Sequence, residues 1–145
     1  MSPGFESPEA AEAAFYGAFA ATDLGAMAQV WLEGVGAICV HPGGALLLGK
    51  DAVMQSWSEI LTGAAPPRIE YRLLSRIEVA DLRVHLVEER IQAGADPAAA
   101  PALVIATNVY VRRSEGWCLS LHHASLPLMP ARSAKGTEGA ARRLH

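Results

Sequence analysis

From Ile69 onward the chain divides into four long strand candidates, Ile69–Val79, Arg83–Ala93, Ala102–Arg113 and Trp117–Leu126. Each is rich in aliphatic and β-branched residues, and short turn signals separate them. Asp81 marks the first turn, Gly94 to Pro101 forms a longer Ala/Pro loop, and Ser114-Glu115-Gly116 makes a tight hairpin in which Gly116 can take positive φ. Strands joined this tightly run antiparallel, because a parallel neighbour needs a long crossover.

The first half has a different period. Ser7-Pro8-Glu9 is a helix start, with a capping hydroxyl, a proline at the first helical position and an acid in the first turn. Ala11, Ala14, Phe15, Ala18 and Phe19 then share one face. Asp23 caps a second helix carrying Leu24, Met27, Ala28 and Trp31, and Lys50 to Leu61 forms a third with Val53, Met54, Trp57, Ile60 and Leu61 as its stripe. Two short strand candidates, Ala37–Val40 and Leu46–Leu48, flank the turn His41-Pro42-Gly43-Gly44. Helices followed by antiparallel strands form an α+β pattern, in which the helices cover one sheet face and the other is solvated or paired with another subunit.

The 145 residues suit one domain. Residues 1–6 read as a flexible lead, 7–126 as the domain, and 127–145 as a disordered tail without periodicity. The chain is 51% apolar with a net charge of −3, so it lacks the basic face that nucleic acid requires; the arginines near the C-terminus belong to a solvated tail. No apolar run spans a bilayer and no signal peptide is evident, which points to the cytoplasm. Cys39 and Cys118 lack metal-ligand spacing and read as buried thiols of a reducing compartment. No Ser-His-Asp order, phosphate-binding loop or dinucleotide fingerprint is present, so no cofactor and no metal is expected.

Pairing across the terminal hairpin orders the candidate site. A turn at Ser114 to Gly116 that pairs Arg113 with Trp117 sets Asn108 opposite His122 and Val109 opposite Leu121. Alternation then puts Ala106, Asn108, Tyr110, Ser120, His122 and Ala124 on one face. It puts Thr107, Val109, Val111, Trp117, Leu119, Leu121 and His123 on the other. Asn108 and His122 can equally form a cross-strand hydrogen bond that serves no ligand. Glu88 and Glu89 are adjacent and face opposite ways; a carboxylate among apolar residues can have a raised pKa and act as a base.

Several segments together resemble the nuclear-transport-factor-2-like, or SnoaL-like, superfamily. They are Phe15-Tyr16 followed by Thr22-Asp23-Leu24 and Trp31; Val40-His41-Pro42-Gly43-Gly44 with Gly49-Lys50-Asp51-Ala52-Val53 and Trp57; and Ala106-Thr107-Asn108-Val109-Tyr110 with Gly116-Trp117 and His122-His123-Ala124-Ser125. The resemblance implies a cone-shaped fold with helices on a curved sheet around one small-molecule pocket. It places the Asn108/His122 face in that pocket and makes Val109, Val111, Trp117, Leu119 and Leu121 a homodimer face; the reverse assignment would bring His123 into the pocket instead. Counting along the sheet as in the superfamily selects Glu88 for the pocket side. Tyr16, His41 and Trp57 complete the expected ligand-binding set, each with a bland alternative as a core or loop residue.

Three functions are compatible with this pattern. The first is a binder of a small, largely apolar molecule. The second is an isomerase, dehydratase or hydrolase using Glu88 or His122 as general base, with Asn108 or Tyr110 as donor to a developing oxyanion. Such an enzyme would pair His122, held protonated, with the carboxylate and favour an anionic or carbonyl-bearing ligand. The third is an association module, since kinase association domains share the fold.

Overall fold

The computed structural model describes residues 4–92, 94, 96, 98–127, 129 and 132. Ser7 accepts a hydrogen bond from the Ala10 amide at 3.0 Å and starts helix α1, Pro8–Ala21. Thr22 ends it in the left-handed region at φ 52°, and its amide returns to the carbonyls of Ala18 and Phe19. Asp23 caps α2, Leu24–Val30, by accepting from the Ala26 amide at 2.9 Å. Helix α3 is Lys50–Leu61, as its apolar spacing predicts.

The strands are β1 (Ile38–Val40), β2 (Leu47–Leu48), β3 (Arg68–Val79), β4 (Leu82–Gln92), β5 (Ala102–Arg113) and β6 (Gly116–Ser125). They form one sheet in the order β2-β1-β6-β5-β4-β3, antiparallel except where β1 runs parallel to β6. The helices pack on one face of this sheet. Phe15, Phe19, Met27, Trp31, Val53 and Trp57 from the helical half meet Val87, Tyr110 and Leu119 from the strands in a continuous core. This is the expected α+β architecture.

Two features differ from the sequence reading. The hairpin between β5 and β6 is tighter than expected: Arg113 pairs with Gly116 and Arg112 with Trp117. An extra residue then restores the expected register, since Tyr110 pairs with Leu119 but Val109 with Leu121. That extra residue is Ser120, whose hydroxyl donates to the Gly36 carbonyl at 2.7 Å. Such a bulge reverses the facing of everything beyond it. Trp117 and Leu119 therefore turn into the core, at 5% and 0% exposure, and do not belong to the outer face; Val109, Val111 and Leu121 do.

The N-terminal lead is also held. The Phe5 amide donates to the Trp117 carbonyl at 2.9 Å, and the Trp117 amide donates to the Phe5 carbonyl at 2.8 Å. Phe5 thus caps the edge of the hairpin, so at this residue the lead expected to be flexible is tied to β6. Most of the tail expected to be disordered, and residues 1–3, lie outside the described residues.

Candidate functional site

On β4 the inward residues are His85, Val87 and Glu89, all buried. Glu88 points the other way and pairs with Arg72 across the outer face at 3.3 Å. The carboxylate expected at Glu88 is therefore supplied by Glu89. Neighbouring strand positions face opposite sides, so an error of one residue in counting exchanges them.

Glu89 is only 1% exposed and takes part in a string of side chains that crosses from helix to sheet. Tyr16, on α1, donates its hydroxyl to Glu89 Oε2 at 2.6 Å. The Asn108 Nδ2 amide donates to the Tyr16 oxygen at 2.9 Å. Asn108 Oδ1 lies 2.5 Å from His122 Nδ1, as the Asn108–His122 pairing predicts. The other imidazole nitrogen, Nε2, stands 3.9 Å from Glu89 Oε2.

Glu89 and His122 form the polar end of a pocket of about 320 Å³. Its walls are apolar, with Phe19, Trp57, Ile60, Ile91 and Val104, and His41 and Pro42 sit beside them. Of the expected ligand-binding residues, His41, Trp57 and His122 line this pocket. Tyr16 and Asn108 lie behind the polar end, and Glu88 is absent from it. A wider groove of about 440 Å³, lined by Arg68, Glu70, Arg90 and Gln92, is a charged surface feature.

Burial dominates the electrostatics. It raises the Glu89 carboxyl from 4.5 to about 7, the Tyr16 hydrogen bond opposing it. It lowers His122 from 6.5 to about 3, with His41 and His123 adding to the effect. His41 is lowered by burial as well. An ion pair would have moved Glu89 and His122 in the opposite directions. The imidazole is therefore neutral at pH 7, which corrects the expectation of a protonated histidine.

His41 Nε2 is 2.9 Å from Ser56 Oγ, which gives its own proton to the Val53 carbonyl at 2.6 Å. Ser56 thus accepts from His41. The His41 ring packs edge-on against Trp57, with centroids 4.9 Å apart. Trp57 also meets Phe15 and Phe19 edge-to-face, so it is both core and pocket wall. Burial pushes the nearby Cys39 thiol up to about 12, which removes it as a nucleophile.

A second buried polar cluster was not legible in the sequence. Glu12 Oε2, one turn before Tyr16 on α1, lies 2.8 Å from His85 Nδ1 and accepts from the Tyr110 hydroxyl at 3.3 Å. Tyr110, expected as an oxyanion donor, is committed here and does not line the pocket. The only signal was an acid placed beside the apolar face of α1. Among the described residues no group of three His, Cys, Asp or Glu side chains could hold a metal ion.

A family model for the SnoaL-like domain matches residues 9–129. The chain belongs to the SnoaL-like family. Among solved structures, this SnoaL-like chain is similar to a Thiobacillus denitrificans protein assigned as a calcium/calmodulin-dependent protein kinase type II association domain. The identity is 39%, over 88% of this chain and 100% of that one, with a TM-score of 0.79. It is also similar to a protein of the NTF2-like family from Streptomyces avermitilis assigned as a dehydratase, with 29% identity over 82% and 93% of the two chains and a TM-score of 0.71. A ketosteroid isomerase-like protein from Erwinia carotovora atroseptica shares the fold, at 17% identity over 84% and 94% of the chains and a TM-score of 0.68. Curated proteins offer no match.

Proposed function

We propose that this SnoaL-like protein catalyses proton transfer on a small, neutral, largely apolar substrate, in an isomerisation or an elimination. The observation that carries the reading is a carboxyl group with a pKa of about 7 next to a neutral imidazole at the polar end of an apolar pocket. A general base works best with a pKa near the operating pH. Ionised Glu89 would take a proton from a carbon activated by an adjacent carbonyl. The electron pair released would either accept a proton at another carbon or expel a leaving group. His122 Nε2 is a second acceptor, suited to a substrate hydroxyl. Among the described residues no lysine or arginine lines the pocket, so an anionic substrate would lack a counter-charge from them there. The volume sits at the lower end of the usual range for ligand sites, about 300–1,000 Å³, which favours a compact substrate. A pure binder of apolar molecules has no need for a buried carboxyl, whose desolvation costs stability. The dehydratase and isomerase-like names among similar structures support the same reaction class.

The test is incubation in D₂O with two probes, a β,γ-unsaturated cyclic ketone and a β-hydroxy ketone. Wild-type protein should isomerise or dehydrate one of them, or incorporate deuterium next to the carbonyl. Glu89→Gln should lose at least about 100-fold of that rate, the usual contribution of a positioned base. No turnover and no exchange with either probe would count against catalysis and for simple binding.

We also infer self-association through the outer sheet face. Ile77, Val79 and Leu103 are exposed there, and Val84, Ile105, Val109, Val111 and Leu121 extend the same apolar surface. Burying it would gain roughly 25 cal/mol per Å². The association-domain name of the Thiobacillus denitrificans protein supports this reading.

A further inference from the structure

We propose that Asn108 is a positioning residue that fixes the tautomer of His122, holding the proton on Nδ1 and turning a bare Nε2 lone pair toward Glu89 and the pocket. The proposal rests on the proton-transfer reading of the same site and extends it to a residue that touches no substrate. It follows from counting donors and acceptors along the buried string. Tyr16 has one hydroxyl proton, and it goes to Glu89 Oε2 at 2.6 Å. The Tyr16 oxygen must then accept from its other neighbour, and the Asn108 amide nitrogen stands there at 2.9 Å. An amide presents its two ends to opposite sides. With Nδ2 turned to Tyr16, the end facing His122 is the carbonyl Oδ1, which only accepts. The contact of 2.5 Å to Nδ1 therefore requires a proton on Nδ1. A neutral imidazole carries one proton, so Nε2 is left as an acceptor, 3.9 Å from Glu89 Oε2.

The surroundings leave few other ways to set this orientation. Asn108 is fully buried and His122 is 2% exposed, so bulk water does not reach the contact between Asn108 and Nδ1. The groups facing His122 are Phe15, Trp57 and His41 from the helices and the first turn, with ring centroids 5.0, 6.2 and 6.4 Å away, and Asn108 and Glu89 from the sheet. Among the described residues only Asn108 lies within hydrogen-bonding distance of its ring. The direction of the string begins at the Glu89 carboxylate and is passed to the imidazole by the amide. Asn108 thereby decides that Glu89 and His122 offer the pocket two acceptors, a carboxylate oxygen and an imidazole nitrogen, and no N–H from His122.

The experiment is ¹⁵N histidine NMR on the full-length wild-type protein, without substrate, from about pH 7.5 to 9, where Glu89 is mostly ionised. His122 is assigned by the signal missing in His122→Gln. The expected spectrum has Nδ1 protonated and Nε2 bare throughout. A bare Nδ1, or a mixture of tautomers, would overturn the proposal. Asn108→Asp supplies the second reading, because a carboxylate still accepts from Nδ1 but adds charge. Followed from pH 9 down to about pH 4, where the wild-type ring stays neutral, it should keep the Nδ1 proton and move the His122 titration upward by more than one pH unit. An unchanged titration in that variant would show that Asn108 does not govern the ring, and would also overturn the proposal. Because these spectra need no turnover, a failure here is separate from a failure of the deuterium-exchange test.

Discussion

Glu89 and His122 bring opposing pH dependences to stability. The Glu89 carboxyl holds its proton more tightly when folded, so between 4.5 and about 7 the native state binds more protons and stability falls as pH rises. His122 holds its proton less tightly when folded, so between about 3 and 6.5 stability rises with pH. The two oppose each other where the windows overlap. Below that overlap stability should drop as the pH falls toward 3, and above it a smaller loss should continue until Glu89 is fully ionised. Glu89→Gln keeps an acceptor for Tyr16 but carries no charge. It should stabilise the protein at pH 8 by up to about 3 kcal/mol, at about 1.4 kcal/mol per pH unit, and have little effect near pH 4. Urea unfolding at the two pH values measures this. The Glu12–His85 contact gives a second prediction. His85→Ala would leave Glu12 buried without its partner at 2.8 Å and should cost about 3–5 kcal/mol. Adding Glu12→Gln to that variant should recover part of the loss.

At the scale of elements, one turn carries strain that a substitution can relieve. Val79 pairs with Leu82, leaving Ala80 and Asp81 as a two-residue hairpin loop, and Ala80 sits at φ 47°. Asparagine tolerates that conformation better than alanine, so Ala80→Asn should raise the thermal midpoint, a gain of about 1 kcal/mol. Most elements were legible because their signals are local: the Ser7 and Asp23 caps, the stripe from Val53 to Leu61 and the length of the strands. The Asn108–His122 pairing was legible too, though it rests on two departures that cancel, the tighter turn and the Ser120 bulge. Between those two features the cancellation fails, so simple alternation puts Trp117 and Leu119 on the wrong face. The choice between Glu88 and Glu89 was not legible for a related reason. It depends on His85 pairing with Asn108, a contact between strands that no local pattern encodes. The Glu12 cluster depends on how α1 lies across the sheet, which is set by packing alone.

For the whole molecule, the two sheet faces divide the work between site and surface. The inner face holds the pocket and Glu89, with Glu12 packed against it from α1; the outer face holds the exposed aliphatic row from Ile77 to Leu121. If that row pairs two copies, sedimentation at micromolar concentration should show a dimer, and Val109→Glu should give monomers that retain the pocket. A monomeric wild-type protein would contradict the inferred self-association and leave the pocket chemistry untouched. The central claim concerns the pocket: a carboxyl held dry beside a neutral imidazole and poised to exchange a proton near neutral pH. Its most direct measurement is the titration of the Glu89 carboxyl by ¹³C NMR, assigned with Glu89→Gln. The account predicts a midpoint near the value of about 7 that burial imposes, with His122 remaining neutral through the transition. A Glu89 midpoint at its ordinary 4.5, or a His122 that gains a proton as Glu89 loses one, would contradict it.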